Sequence, residues 1–129
     1  MRNAILVVLL VVLSSNTLAE WVEIDNRVEA KISVDPATLQ WADNRAKIWV
    51  LFDFKTARKI GNNPPILSMK SQFEFDCKNE QSRLAYNIFH AENSGLGEVV
   101  HIAATVGAWT PIAPQSVEKG LFLFVCKKS

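Results

Sequence analysis

The sequence predicts a single α+β domain in which a six-stranded antiparallel sheet is covered on one face by the C-terminal segment. Short stretches of alternating apolar and polar residues recur along the chain, with polar turns between them. Strands spaced so closely pair antiparallel, because a parallel pair needs a crossover of about a dozen residues. A last apolar run follows two prolines, and two cysteines, Cys77 and Cys126, can join that run to the sheet.

The N-terminus has the pattern of a secretory signal peptide over residues 1–19. Arg2 supplies a positive charge, residues 4–13 are an unbroken apolar run, and Ala19 ends a small-residue cleavage site. The run is shorter than the roughly 20 residues that a membrane-spanning helix needs. We therefore expect cleavage after Ala19, no lipid attachment because no cysteine is near, and no stable membrane insertion afterwards. The domain, residues 20–129, is then exported to the periplasm, the cell surface or the medium.

The charge of the predicted mature chain disfavours two classes of partner. Without Arg2, the chain has 13 basic and 13 acidic side chains, so its formal net charge is zero. Nucleic acids and anionic membranes are normally bound by clusters of Lys and Arg, so we expect neither as a partner. No pattern indicates a cofactor. About 110 residues correspond to one ordinary domain.

The first two strands are predicted at residues 21–24 and 28–34. In the second, apolar residues from Val28 to Val34 alternate with polar ones, which is the period of a half-buried strand. Asp35 and Pro36 then favour a single helical turn over residues 35–38, because an Asp side chain can cap and Pro suits the first helical position.

The third strand is predicted from Arg45 to Phe54, with an unusually apolar second face. A Gly-Asn-Asn-Pro-Pro loop at residues 61–65 follows. In the fourth strand alternate residues from Met69 to Cys77 face inward. The fifth runs from Ser82 to His90 with Leu84, Tyr86 and Ile88 on one side, and the sixth covers residues 98–103.

The C-terminal run allows two interpretations. Ser116 can cap a helix from Val117 to Cys126. Residues 121–125 are apolar all round, however, so periodicity does not separate this helix from a seventh strand, and Gly120 costs a helix about 1 kcal/mol.

The two cysteines indicate a structural disulfide. A Cys77–Cys126 bond closes a loop of roughly 50 residues, for which chain entropy gives about 4 kcal/mol of stabilisation, and an exported chain permits it. Neither cysteine has a second cysteine or a histidine two to five positions away, so the spacing does not suit a metal site.

The sequence favours a non-enzyme. His90 and His101 are its only histidines, and no Ser or Asp is placed beside either in a catalytic motif. A surface or hydrogen-bonded strand histidine is the expected role for each. The aspartates fall at turns or outward strand positions, where solvated acids are usual.

Binding is therefore the favoured class, and two speculative sites stand out. Trp41, expected in a loop over residues 40–44, can anchor a partner if its indole is exposed, or fold back on the sheet edge. Lys55, Arg58 and Lys59 form a basic run expected between strands three and four, which can meet an acidic partner or be a solvated loop. The sheet edges also permit a homodimer.

Several positions together resemble the surface-adhesin protein E-like family of small exported bacterial proteins. They are Trp21-Val22, Asp35-Pro36, Trp49-Val50, Ser71, Asp76-Cys77, Gly97-Glu98-Val99, Trp109-x-Pro111-x-x-Pro114-x-Ser116 and Cys126. The resemblance implies a six-stranded antiparallel sheet whose concave face carries a C-terminal helix joined by a disulfide, and thus favours the helix over a seventh strand.

The resemblance also implies a function. The family is named for an adhesin that binds host extracellular-matrix proteins, which suggests a protein partner at the cell surface or in the envelope. The matching positions are fold determinants, so they transfer no binding site. The alternative function is a periplasmic envelope protein that binds or inhibits an endogenous partner.

Overall fold

The computed structural model describes residues 19–127, which form one antiparallel sheet and a C-terminal helix. The predicted signal peptide lies outside the described residues except for Ala19. The six main strands pair in chain order. They are β1 (Val22–Asn26), β2 (Ala30–Ala42), β3 (Arg45–Arg58), β4 (Ile66–Asp76), β5 (Gln81–His90) and β6 (Val99–Ala103), followed by the short β7 (Thr110–Pro111), which pairs with β5, and the helix α1 (Val117–Cys126).

The core lies between α1 and one face of the sheet, here called the inner face. Alternation in β3 and β4 puts Ile48, Val50 and Phe75 on this face, where each is fully buried. From α1, Phe122 and Val125 pack against them, with the rings of Phe122 and Phe75 6.5 Å apart. The predicted fold is confirmed.

The C-terminal run is a helix and not a seventh strand. The Ser116 hydroxyl accepts the Lys119 N–H at 3.1 Å, as expected of an N-cap. At the other end Lys127 adopts a left-handed conformation and its N–H bonds to the Leu123 carbonyl. Leu123 is 41% exposed, so an apolar side chain faces solvent on the side away from the sheet. The segment forms a helix because one helix face is buried against the sheet. Sequence periodicity could not identify this face, since the run is apolar all round.

The predicted disulfide joins the end of the sheet to the end of the helix. Cys77 directly follows β4, and Cys126 is the last residue of α1. Their sulfurs are bonded, their Cα atoms are 5.7 Å apart, and 49 positions separate them in sequence. The bond therefore fixes the C-terminal end of the helix over the inner face.

The expected helical turn at residues 35–38 is wrong. β2 runs through this stretch to Ala42, with a register shift against β3 between Asp35 and Gln40. Local hydrogen bonds stabilise the irregularity: Asp35 Oδ1 accepts the Ala37 N–H, and the Thr38 hydroxyl donates to the Asp35 carbonyl. The same hydroxyl accepts the Trp49 N–H at 3.0 Å, which keeps the two strands linked.

The predicted end of the third strand is also wrong. β3 continues past Phe54 to Arg58, with a register shift against β4 between Asp53 and Arg58. Lys55 and Arg58 therefore lie in a strand, and only Lys59 follows it.

The predicted grouping of Leu84, Tyr86 and Ile88 on one side of β5 fails because the strand contains a bulge. Gln72 of β4 pairs with Tyr86, whereas the next residue, Phe73, pairs with Leu84, which leaves one residue of β5 unpaired. A shift of one residue moves every following side chain to the other face. Tyr86 consequently lies on the outer face, 5.8 Å from the Trp49 ring.

The connection from β5 to β6, residues 91–98, folds over part of the outer face. The Asn93 amide donates to Asp53 Oδ1 at 2.6 Å, and the Gly95 N–H donates to the Ser68 hydroxyl at 2.9 Å. The Ser68 hydroxyl itself donates to the Glu92 carbonyl. These bonds satisfy polar groups that the sheet pairing leaves on this face, and they bury Ser68 completely.

Candidate binding surface

Trp41 lies at the end of β2, where the sheet has a free edge. Its side chain is 52% exposed. In the described part of the chain, β1 pairs with no residue of β2 beyond Val34, so this end of β2 borders solvent. The structure thus places Trp41 in a strand and not in the expected loop, but the indole is exposed as the binding interpretation requires.

An open groove of about 220 Å³ lies beside Trp41 and crosses β2, β3 and β4. We call it the outer-face groove. Pairing of Gln40 with Lys47 and of Lys47 with Glu74 places these side chains on the outer face. The complete lining consists of Gln40, Trp41, Ala42, Arg45, Ala46, Lys47 and Glu74.

Two arginines flank the Trp109 ring beside this groove. The guanidinium carbon of Arg83 lies 4.4 Å from the ring centroid and that of Arg45 lies 5.1 Å from it. Arg83 also donates to Glu74, and Lys47 Nζ is 3.7 Å from the same carboxylate. Stacking on an indole restrains an Arg side chain and leaves its N–H donors free to bind a partner.

Arg45 is the unpaired cation of this group. Its strand neighbour Asp76 accepts hydrogen bonds from its own turn. Those from the Asn79 backbone and side chain lower the pKa of its carboxyl, and the nearby charge of Arg45 lowers it a little further. Among residues 19–127, no carboxylate lies within ion-pair distance of the Arg45 guanidinium. The groove therefore holds one guanidinium without an ion-pair partner on the outer face. The exposed Trp41 is paired with Ala46, which belongs to the inner face, so the indole lies at the sheet edge that the groove reaches and not beside Arg45.

Sequence reasoning missed Arg45, Lys47 and Trp109 as binding residues. Trp109 entered the sequence analysis only as a fold determinant. The segment after β6 runs back along β5, where the Gly107 N–H donates to the Leu84 carbonyl at 2.8 Å, and this brings the Trp109 ring to Arg83 and Arg45. The alternation of β3 was a usable signal for Arg45 and Lys47, since both fall at its outward positions. The Trp109 contact depends on a long-range return of the chain that no local pattern contains.

The basic run is distant from Trp41. Lys55, Arg58 and Lys59 are all exposed, and they lie at the opposite end of β3 from Arg45. At about 3.3 Å per residue, the 13 steps from Arg45 to Arg58 span roughly 40 Å. Lys55 Nζ donates to Asn26 Oδ1 at 2.6 Å, and Arg58 stacks on the Phe54 ring. The two predicted sites therefore do not combine into one.

The histidines lie on opposite faces of the sheet. His101 is exposed and its ring lies 5.8 Å from that of Phe89, on the inner face. His90 is buried on the outer face beneath the 91–98 connection, beside Ser68, to which it is paired across the strands. Because the two rings face apart, they do not form a catalytic pair with each other.

His90 is a buried strand histidine with one of its two ring nitrogens hydrogen-bonded. Its Nε2 has no hydrogen-bond partner among the described residues, and its Nδ1 is 3.4 Å from the Gly97 carbonyl. Burial lowers the pKa of His90, the contact with Gly97 partly opposes this, and the charge of Lys70 lowers the pKa further. Burial therefore favours the neutral form of this side chain.

Within residues 19–127, no group of three or more His, Cys, Asp or Glu side chains is arranged to hold a metal ion. In the same range, no helix has the length and apolar character needed to span a membrane.

Comparison with known proteins gives a family match across almost all of the described chain. The family model described as surface-adhesin protein E matches residues 21–127. No curated protein sequence matches significantly.

Solved structures of protein E from Haemophilus influenzae share the fold. Crystal form II of that protein superposes with a TM-score of 0.68 at 10% identity, covering 88% of this chain and 92% of that one. The protein E structure from non-typeable Haemophilus influenzae gives a TM-score of 0.61 at 13% identity, covering 88% of this chain and 80% of that one. At such low identity, the likeness establishes the fold alone.

Proposed function

Because this chain belongs to the surface-adhesin protein E family, we propose that it is an exported, non-enzymatic protein that binds macromolecules at the cell surface. The observation that carries this proposal is the family match over residues 21–127. The family description names surface adhesins, and it supports export and surface display for this chain. A protein of the host extracellular matrix is the proposed class of partner.

The outer-face groove is the proposed binding site. Trp and Arg are the residue types most enriched among those that dominate binding energy at protein interfaces. Trp41, whose pairing with Ala46 directs its side chain to the inner face, supplies an exposed apolar anchor at the sheet edge, and Arg45 supplies a restrained cation on the outer face. Lys47 and Gln40 add polar groups around them. This combination suits a partner segment that crosses the sheet edge, with an apolar side chain at Trp41 and an acidic one at Arg45.

The non-enzymatic part of the proposal is supported by the arrangement around the histidines. The hydroxyl nearest to His90 in the strand pairing, that of Ser68, donates to the Glu92 carbonyl. It is therefore committed to the 91–98 connection and not aligned as a nucleophile activated by His90. Nucleophilic catalysis needs a base within hydrogen-bond reach of the attacking group.

The proposal can be tested by binding of the purified mature chain, residues 20–129, to immobilised matrix proteins. Truncation of an anchor residue typically costs 2 kcal/mol or more, so Trp41→Ala should weaken binding roughly thirtyfold or more. Arg45→Gln should weaken it as well, with a smaller effect at high salt because the contact is electrostatic.

Leu96→Ala is the matched control, because Leu96 is an exposed apolar residue, 61% accessible, in the 91–98 connection. It should bind like the wild type. Equal binding by Trp41→Ala and wild type would reject the groove as the site. Failure of the wild-type chain to bind any matrix protein would favour a partner within the envelope.

A further inference from the structure

A second cavity lies on the inner face, where the helix stops covering the sheet. Val117, the first residue of α1, borders it, and its volume is about 260 Å³. We call it the inner-face cavity. Its floor is formed by apolar side chains of β2, β3 and β4, which the strand pairing places side by side: Ile32, Phe52, Phe54 and Met69.

Arg58 provides an uncommitted positive charge at the rim of this cavity. Its guanidinium carbon lies 4.6 Å from the centroid of the Phe54 ring, so the side chain is stacked on the cavity floor. In the described range, 19–127, no carboxylate comes within ion-pair distance of it. The stack restrains the charge without neutralising it.

The other charges at the rim are either neutralised or of opposite sign. Arg27 is paired with Asp25 through a 2.8 Å bond, and it also donates to the Gln115 carbonyl. Glu29 is the acid that lines the cavity. The positive end of the α1 dipole lies at Val117, where Glu118 in the first turn partly offsets it. Arg58 is therefore the position at which an anionic group is best accommodated.

We propose that the inner-face cavity binds a medium-chain alkyl carboxylate, with the alkyl chain on the Phe52, Phe54 and Met69 floor and the carboxylate accepting hydrogen bonds from Arg58. A planar guanidinium matches a carboxylate with two parallel N–H donors. The cavity is smaller than the roughly 300–1,000 Å³ of sites for drug-sized ligands, which favours a single chain over a polycyclic ligand. This site lies on the opposite face from the outer-face groove, so it is independent of the proposed macromolecule binding.

The test is calorimetric titration of the mature chain with decanoate, compared with nonyltrimethylammonium, which has the same nine-carbon alkyl chain and the opposite charge. Decanoate should bind at least about tenfold more tightly, because a charge-assisted hydrogen bond contributes that much or more. Arg58→Gln should remove this preference, and Arg58→Lys should restore part of it because the charge is kept without the planar fork.

Two further variants test the sign and position of the charge. Glu29→Gln should strengthen decanoate binding, because it removes the acid from the rim. Lys59→Gln removes one positive charge, as Arg58→Gln does, but at an exposed neighbouring residue that does not line the cavity. It should leave decanoate binding unchanged within about twofold. Thermal unfolding of each variant confirms that it is folded.

Three results would overturn the proposal. They are no decanoate binding by the folded wild type, equal binding of the anionic and cationic ligands, and equal loss of decanoate binding in Arg58→Gln and Lys59→Gln. An apolar peptide that binds this cavity more tightly than decanoate would also overturn the assignment of an alkyl carboxylate.

Discussion

Removal of the Cys77–Cys126 bond should destabilise the domain strongly. The bond links positions separated by 49 residues, and the chain-entropy model gives about 4 kcal/mol for a loop of that length. Typical domains unfold with a free energy of about 5–15 kcal/mol, so this loss is a large fraction of the total. The double variant Cys77→Ala, Cys126→Ala should remain folded at 25 °C but with a small margin.

Equilibrium urea unfolding measures this loss directly. With an m-value of about 2 kcal/mol/M, a decrease of 4 kcal/mol lowers the midpoint by about 2 M. Wild type treated with a reducing agent should show a similar decrease, which separates the effect of the bond from that of the substitutions. A midpoint that is unchanged by reduction would refute the reasoning and would mean that packing of α1 alone determines its stability.

Other predictions concern the core, the buried histidine and the sheet edge. Phe122→Ala removes a fully buried ring and should lower the free energy of unfolding in urea by about 3–5 kcal/mol. Leu123→Ala, at a position 41% exposed on the same helix, should lower it much less. Equal losses would contradict the helix orientation. The pKa of His90 is lowered in the folded state, so the unfolded chain binds a proton at this residue more tightly than the folded chain does. The contribution of His90 to the free energy of unfolding is therefore fully present above the unfolded pKa of about 6.5 and is lost as the pH falls below it. His90→Gln should therefore flatten the decline of Tm between about pH 7.5 and pH 5.5, while His101→Gln should not, and identical profiles would exclude His90 as the cause. The free end of β2 should allow pairing with a second copy, giving a dimer by sedimentation velocity at high concentration; a strict monomer would reject this homodimer.

Local sequence patterns were sufficient to predict the buried face of a strand where that face is buried without interruption. Phe73 and Phe75 in β4, and Cys77 directly after it, alternate with polar residues, so the buried face was predictable from this alternation. The disulfide was predictable because the chain has two cysteines. The Ser116 N-cap was also predictable from the sequence, because a Ser hydroxyl before an apolar run can accept a backbone N–H of the first helical turn.

Bulges account for the failures within the sheet. The unpaired residue in β5 reverses the direction of Tyr86 and Ile88, and the irregularity after Asp35 continues a strand where a helical turn was expected. Such features depend on how two strands register over their full length, and a single strand does not contain that information.

The candidate site was predictable only in part. For Trp41 the sequence left two interpretations open, an exposed anchor or a ring folded back on the sheet edge, and Arg58 was identified as part of a basic run. The stack of Arg45 on Trp109 and the apolar floor around Phe54 under Arg58 are created by segments distant in sequence. Side chains brought together by long-range folding give no local signal, so neither cavity could be predicted from the sequence.

The location of the protein on the cell tests the central claim most directly. A tag placed after Ser129 can be probed with antibody and protease on intact bacteria, and again after the outer membrane is opened, with a known periplasmic protein as control. We expect the tag to be labelled and cleaved on intact cells while the control stays protected. Labelling only after permeabilisation would contradict display at the cell surface and would identify a periplasmic protein with partners inside the envelope.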